Sequence, residues 1–162
     1  MTDIFPIGVK SSHIKGLTLI VKEHDNEMSV SELGTEAEEE IDDLLPTLIA
    51  GKVLGFLTME NGIIKLTAEG ASLNSKSFSK TIAEKIPKIE PFYTIIKEVE
   101  KQGEVKTRDI FKMLSKKGLI EDRFESGNYT QFRKNLLNWS IKSKILVYDQ
   151  LADTWKIATI KI

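Results

Sequence analysis

Residues 41–66 read IDDLLPTLIAGKVLGFLTMENGIIKL, and a change of apolar period inside this stretch decides the fold. Leu45, Leu48, Ile49 and Val53 recur at helical spacing and so share one stripe of an α-helix. Asp42 or Asp43 is available as its N-cap, and Pro46 falls in or next to its first turn, where a missing N–H costs little. The period then shortens: Val53, Leu54, Phe56 and Leu57 lead into Met59-Glu60-Asn61-Gly62, after which Ile63, Ile64 and Leu66 continue. Asn-Gly between two apolar runs signals a hairpin, because a type I′ turn needs positive φ at both central positions. The stretch predicts a helix followed by a hairpin, closed by Leu66-Thr67-Ala68-Glu69-Gly70.

Upstream, Ile14, Leu17, Ile20 and Val21 place a short amphipathic helix over Ser11 to Glu23. Ser29 stands three residues before Glu32, the spacing at which each side chain satisfies an orphan backbone donor at a helix start. Three short helices ending in a hairpin read as a winged helix. Downstream, Phe78, Ile82 and Ile86 suggest a helical connector that Pro87 and Pro91 punctuate. The pattern then repeats. Pro91 suits the first turn of a helix carrying Phe92, Ile95, Ile96 and Val99 that ends near Gln102-Gly103. Thr107 can cap a helix with Ile110, Phe111 and Leu114 that ends at Gly118. Asn128 with Gln131 makes a second capping box, opening a helix with Tyr129, Phe132, Leu136 and Trp139. Ile145 to Tyr148 and Thr154 to Ile157 form the second hairpin, through Asp149 to Asp153.

The expected fold class is therefore mainly α with small β-hairpins, an α+β chain of tandem winged-helix units. Residues 12–70 form the first unit, 71–90 a helical connector and 91–162 the second unit. The likeness between the halves is architectural; only Lys52-Val53-Leu54 and Lys144-Ile145-Leu146 look alike as sequence.

Composition narrows the function classes. With 41% hydrophobic and 29% charged residues the chain is globular, and the absence of cysteine excludes disulfides, Cys-ligated metals and thiol nucleophiles. No apolar run reaches membrane-spanning length, and MTDIFPIGVK lacks the pattern of a signal peptide, so no membrane insertion and a cytoplasmic address are expected. The net charge of −1 hides an asymmetry: residues 1–75 carry 5 Lys against 13 Asp or Glu, a net of −8, and residues 76–162 carry 18 Lys or Arg against 11, a net of +7.

Neither GxxxxGK[ST] nor GxGxxG occurs, which argues against nucleotide hydrolysis by this chain, and no enzyme activity or cofactor is expected. His13 and His24 lie near opposite ends of the first helix, off the i, i+4 spacing of a helical metal site, and read as surface or helix-end residues. Glu36, Glu38, Glu39, Glu40, Asp42 and Asp43 form the densest charge. They read as a solvated turn and helix start that the helix dipole favours, or as a contact face for a basic partner. Acid at the head of the third helix argues against DNA binding by the first unit. In the second unit, the face opposite the apolar stripe displays Gln131, Lys134, Asn135, Asn138 and Lys142, with Arg133, Lys144 and Arg123 nearby. Such residues bond to phosphates and base edges, or keep a helix soluble while meeting a protein. Trp139 and Trp155 fall at core positions. Apolar wing edges offer a route to a homodimer.

The run Asp42-Asp43-Leu44-Leu45-Pro46, then Leu54-Gly55-Phe56, then Leu66-Thr67-Ala68-Glu69-Gly70, resembles the AAA-associated C-terminal domain appended to ATP-binding subunits of nitrate, sulfonate and taurine type ABC importers. The likeness continues through Ile82-Ala83-Glu84-Lys85-Ile86-Pro87 to Asn138-Trp139 and Tyr148-Asp149, and spans roughly Ser12 to Ile157. It implies a regulatory or docking appendage to a transport ATPase and transfers no catalytic residue. With no ATPase domain ahead of the module, action in trans on a separate ABC-type ATPase subunit is the expectation. A DNA-binding transcriptional regulator reading through the second unit is the alternative.

Overall fold

A computed structural model describes residues 4–120 and 129–158. It is mainly helical with small antiparallel sheets, an α+β chain that divides into two compact units, Met1–Phe78 and Ser79–Ile162.

In the first unit, α1 (Ser11–Glu23), β1 (Glu27–Ser29), α2 (Val30–Ala37), α3 (Ile41–Val53), β2 (Leu57–Glu60) and β3 (Ile63–Leu66) follow one another. Ser29 Oγ accepts from Glu32 N at 3.0 Å and Glu32 Oε1 accepts from Ser29 N at 3.3 Å, the expected capping box. Asn61 and Gly62 have φ of 50° and 75°, as the hairpin requires. β3 is the central strand, pairing Met28 with Ile64 on one side and Met59 with Ile64 on the other. β1 was not expected; three residues are too few to show a period of two. The core joins Leu17 and Val21 of α1, Leu33 of α2, Leu44 and Leu48 of α3, and Leu57 and Ile64 of the sheet. The unit also reaches upstream of Ser12, where Phe5, Ile7 and Val9 are buried.

Several local expectations are corrected. The N-cap of α3 is Glu40, with Asp42 and Asp43 inside the first turn. Pro46 lies inside the helix, beyond that turn, where its ring nitrogen leaves the Asp42 carbonyl without its helical donor. Lys106, not Thr107, is the N-cap position of its helix, because the Thr107 hydroxyl is engaged elsewhere. Pro91 stands at the N-cap rather than in the first turn.

The segment after the first hairpin folds back on it. In α4 (Ala68–Ser72), Thr67 is the N-cap: its Oγ1 accepts from Gly70 N at 3.0 Å and donates to Gly55 O at 2.7 Å, while Thr67 N donates to Phe56 O at 2.9 Å. A Cβ on Gly70 would stand 2.0 Å from Phe56 O. Gly55-Phe56 and Thr67 to Gly70, which resemble one family as separate motifs, are thus two sides of one contact. Asn74 Oδ1 then accepts from Lys76 N and Ser77 N and starts α5 (Ser75–Lys85), on which Phe78 and Ile82 are buried.

The second unit repeats the order: α6 (Phe92–Gln102), β4 (Val105–Lys106), α7 (Thr107–Lys117), α8 (Tyr129–Ser143), β5 (Leu146–Asp149) and β6 (Thr154–Ile157). Its sheet order, β4-β6-β5, is that of β1-β3-β2 in the first unit. Gly103 and Gly118 close their helices with positive φ. Trp139 and Trp155 are buried as expected, with Phe92 against Trp139 and Phe111 edge-on to Phe132. Asn128 and Arg123 lie outside the described residues.

Candidate functional site

The acidic segment is built by the junction of α2 and α3. Glu38 closes α2 in the left-handed conformation (φ 55°), Glu39 N returns to Gly34 O at 3.0 Å, and α3 restarts at once. That tight turn brings Glu38, Glu39, Glu40, Asp42 and Asp43 to the surface together, all exposed and without an ion-pair partner among the described residues. Glu36 is set apart, since it meets His24 Nε2 of the segment after α1.

Glu39 and Asp43 edge a groove of about 630 Å3 along α1, α2 and α3. Its floor is apolar, from Leu17, Ile20, Leu33, Ala37 and Leu44, and its lining also includes Ser12, His13, Gly16 and Thr47. A Cβ on Gly16 would meet nothing within 4 Å, so α1 presents bare backbone there. This groove was not legible in the sequence, because its residues come from three helices with no shared periodicity.

On α8 the structure sorts the expected face. Gln131, Lys134, Asn138 and Lys142 are exposed at spacings of three and four, one stripe of the helix. Asn135 is corrected: it is buried at 8% exposure, its Oδ1 accepts from Gln131 Nε2 at 3.1 Å, and its Nδ2 finds no partner among the described residues. Polar chemistry suggested exposure, but position 135 adjoins Leu136 on the buried side. Arg133 turns to the hairpin, 3.4 Å from Asp153 Oδ2, and Lys144 sits beyond the helix end with φ 54°.

Asp153 anchors a polar node between α7, α8 and the second hairpin. Thr107 Oγ1 donates to its Oδ1 at 2.7 Å and Tyr148 Oη at 2.6 Å, while Trp155 Nε1 donates to Thr107 Oγ1 at 2.8 Å. Burial opposes ionisation of Asp153, but the Tyr148 and Thr107 hydrogen bonds and the Arg133 charge outweigh it and hold the carboxyl below its ordinary range. Burial, then the bond to Asp153 and its charge, pushes the Tyr148 phenol up. The node stiffens the hairpin, and Asp149 Oδ1 holds its tip by accepting from Leu151 N and Ala152 N. Leu151 is thereby presented fully exposed. Sequence reasoning missed this node, since Thr107 and its partners are far apart in the chain.

Among the described residues no three His, Asp or Glu side chains converge to hold a metal, and no helix is long and apolar enough to cross a membrane. A family model described as the C-terminal AAA-associated domain matches residues 31–149, more than half of the chain. No curated protein and no solved structure matches it.

Proposed function

Since the chain belongs to the family of C-terminal AAA-associated domains, we propose that it is a non-enzymatic regulatory or docking module for an ATPase subunit of the ABC-transporter type, built of two winged-helix units and acting in the cytoplasm. The family match carries this reading. The order helix, strand, helix, helix, hairpin, with the short strand beside the last one in both sheets, supports the winged-helix assignment. The surface of the first unit supports a protein partner: its third helix opens with unpaired carboxylates and exposes Ile41 and Ile49, a combination suited to an apolar contact with a basic rim and opposed to phosphate. The test is size-exclusion chromatography of the full chain with a purified ABC-type ATPase subunit, together with the ATP hydrolysis rate of that subunit. A complex at micromolar protein and a changed rate are expected. Separate elution and an unchanged rate refute the proposal.

The stripe Gln131, Lys134, Asn138 and Lys142 favours a second reading, DNA binding through α8. Against it, the hairpin beside that helix offers Asp149 and a fully exposed Leu151 where a DNA-binding wing meets phosphates. A duplex shift at low salt that falls steeply with added salt and vanishes in Lys134→Ala, Asn138→Ala is the outcome that would establish this reading.

A further inference from the structure

The groove of the first unit combines three features. Its floor is apolar, the outer side of the core at Leu17, Leu33 and Leu44 with the half-buried Ile20 and Ala37 beside them. Glu39 and Asp43 stand at its edge, with no cation paired to either among the described residues. Gly16 faces it from inside α1, where glycine weakens a helix relative to alanine. No packing among the described residues explains that glycine, because the site of its absent side chain is empty to 4 Å. A residue that costs helix stability and opens a groove is accounted for if another backbone comes close there.

From this we infer that the groove receives an amphipathic α-helix of the partner ATPase, with an apolar stripe against the floor and Lys or Arg flanking it beside Glu39 and Asp43; this rests on the docking role proposed above. A helix fits better than a strand. The groove is walled by α1, α2 and α3, whose backbone groups, save those at the helix ends and the Asp42 carbonyl, are bonded within those helices, so an extended segment would bury most of its N–H and C=O groups without partners. A helix brings its own bonds and packs by side chains alone. Bare backbone at Gly16 lets its axis approach closely. The α3 dipole accounts for Asp42 and Asp43 in the first turn, but not for Glu38 and Glu39 ahead of it. A basic flank neutralises these as well.

The inference is tested on the full chain with two fluorescein-labelled helical peptides, both with Leu at i, i+3, i+4 and i+7, one carrying Lys and the other Glu at the remaining positions. Anisotropy should show binding of the Leu/Lys peptide and none of the Leu/Glu peptide. Gly16→Leu, whose Cβ meets nothing within 4 Å and whose side chain would occupy the groove, and Asp43→Lys should each weaken binding at least about tenfold. Circular dichroism checks that both variants fold, and Thr58→Ala, exposed on the first hairpin and outside the groove, is the control that should bind within a few-fold of the parent chain. Equal binding of both peptides, or indifference to Gly16→Leu, overturns the inference. So does a concentration-dependent dimer of the chain alone that Gly16→Leu abolishes, since the occupant is then a second copy. An ATPase complex untouched by Gly16→Leu overturns the groove and leaves the docking role standing. Absence of any ATPase complex overturns the docking role and the named occupant together.

Discussion

Replacing Gly70 by alanine should destabilise the first unit far more than one methyl group suggests. The new Cβ would stand 2.0 Å from Phe56 O and 2.9 Å from its carbonyl carbon, whereas unbonded heavy atoms settle nearer 3.5 Å. Phe56 cannot give way: its side chain is fully buried, its N–H donates to Gly51 O at 2.9 Å, and its carbonyl accepts from Thr67 N. The start of α4 must therefore retreat by roughly 1.5 Å. Retreat removes the Thr67 N to Phe56 O bond and stretches the Thr67 Oγ1 to Gly55 O bond, at about 1 kcal/mol each. Residual overpacking adds about 1–3 kcal/mol. Alanine's better helix propensity returns about 0.5–1 kcal/mol, so the net loss is about 2–4.5 kcal/mol. Gly16→Ala is the counterpart: its Cβ meets nothing, and the same propensity term should stabilise the unit by about 0.5–1 kcal/mol. Both tryptophans lie in the second unit, so the measurement is urea denaturation followed by far-UV circular dichroism rather than by tryptophan fluorescence. A Gly70→Ala chain within about 0.5 kcal/mol of the parent, or equal losses from the two substitutions, would refute the reasoning.

In the second unit, Thr107→Val keeps the shape but strips Trp155 Nε1 and Asp153 of a partner, and should cost about 2–3 kcal/mol, read from tryptophan fluorescence in urea. Stability of the same unit should fall at both ends of the pH scale. Asp153 titrates below its unfolded value, so its contribution is complete above a pH of about 4 and drains as pH falls through the folded value. Tyr148 titrates above its unfolded value, so its contribution holds below a pH of about 10 and is lost as pH rises through the folded one. Asp153→Asn should flatten the acid limb of the urea midpoint. Ser29→Ala should lower the stability of the first unit by about 1 kcal/mol, which Ser29→Asp should largely restore.

The elements legible in the sequence were those whose cause is local. The capping box at Ser29, the turn at Asn61-Gly62 and the helix-closing Gly118 each need only neighbours within a few residues. What escaped has its cause elsewhere in the chain. β1 and β4 exist because β3 and β6 present an open side, and two or three residues carry no pattern of their own. Thr107 looked like a helix cap because threonine caps helices; its hydroxyl is instead taken by Asp153 and Trp155. The acidic residues and most of the α8 face were readable as exposed charge, but the groove beneath Glu39 and Asp43 needed three helices in place before it existed.

The interlock of Gly70 with the Phe56 carbonyl also bears on how such a sequence can change over generations. A side chain at 70 strikes the backbone of 56, which can yield only by giving up the bond its N–H donates to Gly51 O and the one its carbonyl accepts from Thr67 N. Because the strike is on backbone, no change of side chain at 56 relieves it, and position 70 is tied to glycine by the path of the chain itself.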